Sequence, residues 1–288
     1  MTGGMGNQMF TYALYRSLRQ MGKEVCIEDF THYDKPEKNC LKTVFHLKYH
    51  TACEEEYNRL TDSAPDLLHK VKRKVMGRKG KIYQEKEAII FEPEVFAAED
   101  VYMIGYFQSQ RYFEKAVFDL RQDFAFDWNS FSEKAKNLKE QMRKEVSVSL
   151  HIRRGDYMNG KFAGIYGNLC TDAYYEAARN YMKEHFGECR FYLFTDDAEW
   201  GRQQESEDTV YVDASEGTGA YVDMALMSCC KHHIIANSSF SWWGAWLDDN
   251  PDKTVIAPAK WLNISEGKDI YAGLCNCLID AQGSVQRM

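Results

Sequence analysis

Residues 146–152 read VSVSLHI, and this run passes directly into Arg153, Arg154, Gly155 and Asp156. The run is rich in residues that favour extended backbone, so it predicts a β-strand whose end carries charge. In an open α/β sheet, the carboxyl end of such a strand is the place where ligands bind.

The rest of the second half alternates between strand-like and helical stretches. Helical stretches of about ten to fifteen residues separate the strand-like runs, which is the spacing of a parallel, doubly wound sheet. Further strands are predicted at residues 190–195, 210–213, 233–236 and 254–257, and helices at residues 171–185, 221–231 and 242–247. We therefore expect an α/β protein with its polar motifs at strand ends.

The first half is less regular. Glycines at positions 3, 4 and 6 lead into a predicted helix at residues 7–19, and a strand-like run follows at residues 25–27. A glycine turn of this kind normally follows a strand, yet only two residues precede Gly3, so either the start is truncated or the first strand is missing. The change of pattern near residues 130–145 predicts two domains, at residues 1–140 and 141–288.

The composition excludes some classes of protein. With 288 residues, 44% of them hydrophobic, the chain can bury a large core. A formal net charge of −7 argues against a nucleic-acid binder, which needs cations to displace phosphate counterions. No apolar run reaches about 18 residues and no charged-then-apolar leader is visible, so a cytoplasmic location is expected. Nine cysteines without a Cys-x-x-Cys pair predict reduced thiols.

A basic segment interrupts this acidic chain. Residues 70–81 contain seven lysines and arginines and no acid. One interpretation is a solvated surface segment. The other is contact with anionic lipid head groups or with a phosphorylated acceptor, which would place the protein at the inner face of a membrane.

The charged motif after the first strand suits a phosphate ligand. Arg stays charged and offers a planar fork of donors, which matches a diphosphate. Arg153 and Arg154 are expected to point to opposite sides, with Arg153 on the phosphate and Arg154 orienting Asp156 or the loop. His151 lies at the same strand end, and the alternative is an ion-paired structural turn.

A second motif, Asn237-Ser238-Ser239-Phe240-Ser241, predicts a strand-to-helix turn. Unpaired backbone N–H groups and the helix dipole make such a turn an anion site, although capping alone explains one serine. The tryptophans that follow, at positions 242, 243 and 246, are expected in the core.

Two weaker motifs remain. Gly4 and Gly6 would let the backbone approach a ligand that Asn7 and Gln8 can hydrogen-bond, although the pattern fits neither a dinucleotide fingerprint nor a phosphate loop. Asp196 and Asp197 resemble a metal-binding pair, but capping or a ribose contact is the favoured interpretation. For His232 and His233 we favour a structural role, since neighbouring side chains point apart. No metal or cofactor is expected.

Taken together, the stretches GGMGNQMF, SLHIRRGDY, FTDD and DMALMSCCKHHIIANSSFSWWGAWL resemble the alpha-1,2-fucosyltransferases of glycosyltransferase family 11. The resemblance implies a GT-B-like fold, in which two Rossmann-like domains have parallel sheets that face a central cleft. The first domain would serve the acceptor and the second would bind GDP-fucose. It also implies inverting transfer to the 2-hydroxyl of a galactoside, either a galactose-terminated oligosaccharide or a lipid-linked glycan.

The resemblance also implies roles for single residues. Arg153 would bind the β-phosphate, and His151 would contact the nucleotide. Asp223, sixteen residues before Ser239, would read guanine. Ser238, Ser239 and Phe240 would donate to the pyrophosphate, and Asp156 is the nearest candidate for a general base. The alternatives are another linkage, a GDP-mannose donor, or a protein that binds nucleotide sugars or glycans without catalysis.

Overall fold

The computed structural model describes residues 1–31, 38–66, 74–155, 162–213 and 219–287. Asp156 and residues 70–73 of the basic segment therefore lie outside the described residues. The chain divides into two compact units, Met1–Asp123 and Phe124–Met288.

The division falls earlier than the predicted boundary after residue 140. The segment that was assigned to the first domain contains a helix, Glu133–Lys144, that belongs to the second unit. Its residues Ala135 and Met142 are fully buried in a core cluster with Tyr192 and Phe194. The amphipathic helix thus covers the sheet of the second unit, which the change in sequence pattern did not show.

Unit 1 (Met1–Asp123) is mainly helical. Its helices are α1 (Met5–Gln20), α2 (Cys40–Thr43), α3 (Glu54–Thr61) and α4 (Val117–Asp123), with 3-10 turns at Pro93–Phe96, Gln110–Tyr112 and Glu114–Ala116. Its strands β1 (Ile82–Gln84) and β2 (Tyr102–Ile104) pair in parallel. The predicted helix at residues 7–19 is confirmed.

The predicted strand at residues 25–27 is wrong as an element, because only Ile27 pairs, in an isolated bridge with Thr51. Within the described part of unit 1, the sheet has two strands, fewer than a Rossmann-like domain needs. The fully buried aromatic residues of this half instead lie in helices and turns, as Tyr112 and Phe113 do at 1% exposure each.

Unit 2 (Phe124–Met288) is an α/β unit. Its strands are β3 (Ser147–Ile152), β4 (Arg190–Thr195), β5 (Thr209–Tyr211), β6 (His232–Ile234), β7 (Val255–Pro258), β8 (Cys277–Ile279) and β9 (Val285–Arg287). Its helices are α5 (Glu133–Lys144), α6 (Ala163–Tyr166), α7 (Asp172–Phe186), α8 (Ala198–Gln203), α9 (Tyr221–Met227) and α10 (Ser239–Leu247), with a 3-10 turn at Trp128–Ser130.

The sheet of unit 2 has the order β5-β4-β3-β6-β7-β8-β9, and only the β8–β9 pair is antiparallel. Counted from β3, its parallel strands follow the 3-2-1-4-5-6 order of dinucleotide-binding folds. The predicted α/β class and parallel sheet are confirmed. The order reverses between β3 and β6, so the crevice in which such folds bind ligands lies at the carboxyl ends of these two strands.

Helices cover both faces of this sheet. On one face, α7 packs Tyr174 and Ala178 against Val148 and Leu150 of β3. On the other face, α9 packs Val222 and Ala225 against Tyr192 and Phe194 of β4. The α10 tryptophans at positions 242, 243 and 246 are at most 2% exposed, which confirms the prediction that they belong to the core.

A close contact joins α9 and α10. A Cβ atom built on Gly244 of α10 would lie 2.9 Å from Cβ of Met227 in α9. Only glycine therefore allows this helix approach. No helix of the described ranges is long and apolar enough to cross a membrane.

Candidate functional site

The two main sequence motifs of unit 2 meet at the point where the strand order reverses. The arginine loop (residues 153–155) follows β3, and the serine turn (residues 237–240) follows β6, the strand that pairs with β3 in parallel. The rings of His151 and Phe240 lie 5.7 Å apart between their centroids. The structure thus brings together motifs that are more than eighty residues apart in sequence.

Asp196 braces the arginine loop. Its Oδ1 accepts hydrogen bonds from the backbone N–H groups of Arg154, at 2.9 Å, and Gly155, at 3.2 Å. Its Oδ2 lies 3.2 Å from Nε of Arg153. A Cβ atom on Gly155 would lie 2.6 Å from Oδ2 of that same carboxylate, so any other residue there would displace the Asp196 side chain. Asp196 was predicted to contact the donor. In the structure, the contacts described above hold the arginine loop in place.

The two arginines have different surroundings. Nε of Arg154 lies 3.2 Å from Oδ2 of Asp197, and its guanidinium stacks 4.5 Å from the ring centroid of Trp200. Asp197 also caps α8, because its Oδ1 accepts a hydrogen bond from the N–H of Trp200 at 3.0 Å. Arg154 is therefore held by α8, as expected for an arginine that orients the loop. Asp197 is a helix cap, the role favoured over a metal ligand.

The serine turn is built around Asn237. Its side-chain amide donates to the carbonyl oxygens of Tyr166 and Trp261, both at 3.1 Å. Ser238 then caps α10, since its Oγ accepts a hydrogen bond from the N–H of Phe240 at 3.3 Å. The first turn of α10 has no acidic residue. The end of the helix that faces the arginine loop therefore has the polarity that favours an anion.

Two buried polar atoms in unit 2 have no hydrogen-bond partner among the described residues: Nδ1 of His151 and Oδ1 of Asp223. Burial, helped by the charge of Arg153, lowers the pKa of His151 to about 3, so its ring is neutral. Burial, helped by the charge of Asp213, raises the pKa of Asp223 to about 7. Leaving a buried polar group unpaired costs about 1–3 kcal/mol, so both atoms are candidates for ligand contacts.

His151 and Asp223 lie on the same side of the sheet. His151 is in register with Phe194 of β4, so the two side chains point to the same face. Phe194 packs there in one cluster with Val222 and Ala225, members of α9 that flank the position of Asp223. Both residues were expected to address the nucleotide, and the structure places them on one face.

A cleft of about 570 Å³ opens on the opposite face, between α7 and α8. Its floor includes Leu150 and Ile152, and its rim includes both arginines of the loop. The lining also includes carboxylates, amides and an indole, which are contributed by Asp172, Glu176, Asn180, Trp200 and Gln204. Its volume lies within the usual range of small-molecule sites.

The residues of the glycine motif form hydrogen bonds with other residues of unit 1. Gly4 is exposed and accepts the first hydrogen bonds of α1, while Gly6 is buried. Oδ1 of Asn7 accepts a hydrogen bond from Nε2 of Gln108 at 2.8 Å. Gln8 is 1% exposed, and its amide bonds the backbone of Gly3, Lys38 and Cys40. These bonds occupy the amide of Gln8 that was predicted to reach a ligand.

A buried network that the sequence did not reveal lies below the serine turn. Oγ of Ser149 and Nδ1 of His233 are 2.8 Å apart, and Nε2 of His233 is 3.0 Å from Oδ2 of Asp248. His232 points away, accepts a hydrogen bond from the N–H of Thr254 and stacks on Phe186. The structural interpretation of the histidine pair is confirmed. No spacing rule connects His233 to an aspartate fifteen residues later.

The described ranges contain no group of three or more His, Cys, Asp or Glu side chains arranged to hold a metal ion. The expectation of metal-free chemistry stays a prediction.

Comparison with known proteins identifies the class as glycosyltransferases. The sequence profile of "Glycosyl transferase family 11" matches residues 81–271. This match covers about two thirds of the chain, and the chain therefore belongs to glycosyl transferase family 11. The resemblance seen in the sequence motifs is confirmed.

Two curated relatives and one solved structure are similar to this chain. An alpha-1,2-colitosyltransferase of Escherichia coli is 41% identical over 172 residues, which cover 58% of this chain and 58% of that protein. The O-antigen biosynthesis glycosyltransferase WbnK of Escherichia coli is 31% identical over 292 residues, with 91% and 93% coverage. The crystal structure of NodZ alpha-1,6-fucosyltransferase soaked with GDP-fucose is 16% identical, covers 85% of this chain and 89% of that chain, and has a TM-score of 0.42.

Proposed function

We propose that this chain transfers L-fucose from GDP-fucose to the 2-hydroxyl of a galactoside, with inversion at the fucose anomeric carbon and without a metal. The observation that carries the proposal is the pair of unpartnered buried atoms, His151 Nδ1 and Asp223 Oδ1, in the unit that also holds the arginine loop. A site that leaves such groups without partners is suited to a ligand that supplies them.

Asp223 accounts for the choice of nucleotide. Its ionised carboxylate can accept hydrogen bonds from N1–H and N2–H of guanine, a pair of donors that adenine lacks. A buried acceptor that stays unpaired strongly disfavours the wrong base. The neutral ring of His151 offers a further contact for the nucleoside.

The anion site, which consists of Arg153 and the N–H groups at the start of α10, accounts for the transfer step. As the bond from fucose to the β-phosphate breaks, negative charge grows on GDP and positive charge on the sugar ring. Arg153 and the N–H groups at the start of α10 would stabilise the phosphate charge, and Arg154 with Asp196 and Asp197 would hold the loop in place. The acceptor 2-hydroxyl attacks the opposite side of the anomeric carbon. Asp156, the predicted base, would take its proton.

The relatives of this chain also motivate a rival donor. The alpha-1,2-colitosyltransferase relative suggests GDP-colitose, whose sugar is a 3-deoxy form of fucose. A GDP-mannose donor and another linkage are further alternatives, because the residues above address GDP more than the sugar. A protein that only binds nucleotide sugars would have the same donor site and no turnover.

The test is to incubate the purified chain with lactose and, in separate reactions, GDP-fucose, GDP-colitose and GDP-mannose. We expect acceptor-dependent release of GDP with GDP-fucose, an alpha-1,2 linkage in the product, and an unchanged rate in a chelator. Arg153→Ala serves as the inactive control. Preferred use of another donor, a different linkage, or a loss of activity in the chelator contradicts the corresponding part of the proposal. Binding of GDP-fucose without turnover contradicts catalysis.

We further propose peripheral contact with an anionic bilayer through the described end of the basic segment. Val75 and Met76 are 76% and 61% exposed, and the exposed cations Lys74, Arg78 and Lys79 flank them. Apolar side chains between cations suit the boundary between head groups and acyl chains. We expect flotation with vesicles that contain anionic lipid, its loss in Val75→Ser/Met76→Ser, and no effect of Phe118→Ser, an exposed aromatic control. Equal flotation of both variants contradicts the contact.

A further inference from the structure

We infer that Ser149, His233 and Asp248 form a positioning network that holds α10 so that its N-terminal N–H groups meet the phosphates of the donor. The inference rests on the proposed function only in naming a nucleoside diphosphate as the ligand. None of the three residues is proposed to touch it.

The network joins the two strands that border the crevice. Ser149 of β3 and His233 of β6 are direct partners in the parallel register, so their side chains stand side by side on one face. Asp248 comes from the end of α10, where it is the C-cap residue. The three residues are 2%, 0% and 5% exposed, respectively, so no substrate reaches them in this arrangement.

The neutral state of the His233 ring sets the direction of both hydrogen bonds in the network. Burial lowers the pKa of His233, so the ring is neutral. Its Nε2–H donates to Oδ2 of Asp248, and its Nδ1 accepts the hydroxyl hydrogen of Ser149. Both ring nitrogens are thus satisfied, and removal of either partner leaves a buried polar atom unpaired.

Further bonds anchor the same end of α10. Oδ1 of Asp248 accepts a hydrogen bond from the N–H of Asn250, whose side chain donates to the carbonyl oxygen of Lys231 at the start of β6. The ammonium group of Lys253 donates to the carbonyl oxygen of Ala245 at 2.8 Å. The C-terminal end of α10 is therefore tied to the two central strands and to the loop after the helix.

The opposite end of α10 carries the anion site. The helix has nine residues, a length of about 13 Å, and Phe240 in its first turn contacts His151. Ser149 lies two positions before His151 on the same face of β3. Helix α10 therefore connects the buried network to the N–H groups that face the phosphates. A shift at the C-terminal end of α10 moves those groups. Asp223 lies on α9, and its unpaired Oδ1 makes no hydrogen bond to any residue of the network, so guanine recognition should depend less on this network than phosphate binding does.

The test compares Ser149→Ala with a matched control, Ser147→Ala. Ser147 is also a buried serine on β3, but its hydroxyl donates to the carbonyl oxygen of Met142 and accepts from the N–H of Lys231, and neither residue belongs to α10 or to the positioning network. Calorimetry would give the dissociation constants of each protein for GDP and for guanosine. We expect Ser149→Ala to weaken GDP binding about tenfold and guanosine binding less than about twofold. Ser149→Thr, which keeps the hydroxyl, should restore GDP binding.

Turnover distinguishes positioning from a general loss of stability. In Ser149→Ala and His233→Gln the KM for the sugar nucleotide should rise, whereas Ser147→Ala should lower the melting temperature without changing the ratio of the GDP and guanosine constants. Equal weakening of GDP and guanosine in Ser149→Ala, or the same ratio in both alanine variants, overturns the inference.

A measurement without nucleotide separates this inference from the proposed function. Hydrogen exchange of the α10 amides should quicken about tenfold in Ser149→Ala and stay unchanged in Ser147→Ala. If wild-type protein fails to bind GDP, the proposed function fails, and this exchange comparison still decides whether the network holds α10. Equal exchange in the two variants rejects the network as a positioning device.

Discussion

Two buried histidines on neighbouring strands of unit 2 differ in one respect. His233 of β6 has hydrogen-bond partners at both ring nitrogens, while Nδ1 of His151 on β3 has none among the described residues. Both side chains are at most 5% exposed, and burial lowers the pKa of each, so both rings are shielded from solvent to a similar degree. The difference lies in what the fold supplies to each ring.

This contrast separates a structural residue from a candidate ligand contact. A folded protein rarely leaves a buried polar atom unpaired, because it loses the hydrogen bond that water would make. Where the fold provides partners, as around His233, the group stabilises the sheet. Where it provides none, as at His151 and Asp223, a ligand is the expected partner. Substitutions at both kinds of residue test this distinction.

The largest effect is expected at Arg153. Arg153→Ala should lower the turnover number about 10²- to 10³-fold, because a preorganised charge contact in the transition state is lost. Arg154→Ala should cost less than about tenfold, since Arg154 contacts Asp197 and Trp200 and acts on the loop. Initial rates at saturating donor would measure both. Equal losses in the two variants would remove the distinction between them.

Asp223→Asn should weaken GDP binding about 10- to 100-fold, because an amide offers one acceptor and one donor where guanine presents two donors. The preference for GDP over ADP should fall with it. Asp213→Asn is the control, since it alters a nearby charge without removing the unpaired oxygen. Calorimetric titration would settle the comparison. An unchanged preference in Asp223→Asn would mean that this carboxylate does not read the base.

The raised pKa of Asp223, about 7, predicts pH-dependent donor binding. Guanine needs the ionised carboxylate, which is lost as the pH falls through 7, so GDP-fucose, whose phosphates do not titrate in this range, should bind about tenfold more weakly at pH 6 than at pH 8. His151, with a pKa of about 3, does not titrate in this range. Asp223→Asn should flatten the profile, and a wild-type profile already flat between these values would contradict the assignment.

The stability of the protein without nucleotide should change with pH in the direction opposite to that of donor binding. The pKa of Asp223 is raised on folding, so its stabilising contribution is complete at low pH and is lost as the pH rises through 7. Asp223→Asn should therefore melt at a higher temperature than wild type at pH 8 without nucleotide, and at a similar temperature near pH 4. Thermal scans at the two pH values would show this. A lower melting temperature at pH 8 would indicate a stabilising carboxylate.

The smallest effect is expected at the cap of α8. Asp197→Ala should cost about 1 kcal/mol of stability, because the N–H of Trp200 loses its acceptor and Arg154 its partner. Asp197→Ser should recover much of the loss, since serine also caps helices. Denaturant unfolding would measure the difference. An effect on turnover as large as that of Arg153→Ala would place Asp197 in the site itself.

Much of the fold of unit 2 was predictable. The strand predicted at residues 190–195 coincides with β4, and the one at residues 146–152 differs from β3 by one residue. Long β-rich runs between helices carry a strong local signal. Strands β8 and β9 were missed, because each has three residues and is defined by pairing at the edge of the sheet.

Many residues of the candidate site could be named from the sequence. Which of them bond within the fold, and which are left to contact a ligand, could not be predicted. Arg153 and Ser238 were named from sequence motifs and Asp223 from the family resemblance, and their contacts with a ligand stay predictions. That Asp196 braces the loop, and that the amide of Gln8 is occupied inside unit 1, depends on contacts with residues distant in the chain.

The sequence by itself determined the family, the parallel α/β class and the strand ends that carry charge, because periodicity and motif spacing are local properties of the chain. Only the tertiary structure decided which buried polar groups are satisfied. Hydrogen-bond partners such as Ser149 and His233, eighty-four residues apart, become neighbours only through the pairing of β3 with β6. That pairing satisfies His233 and leaves His151 with an unpaired nitrogen at the edge where the strand order reverses.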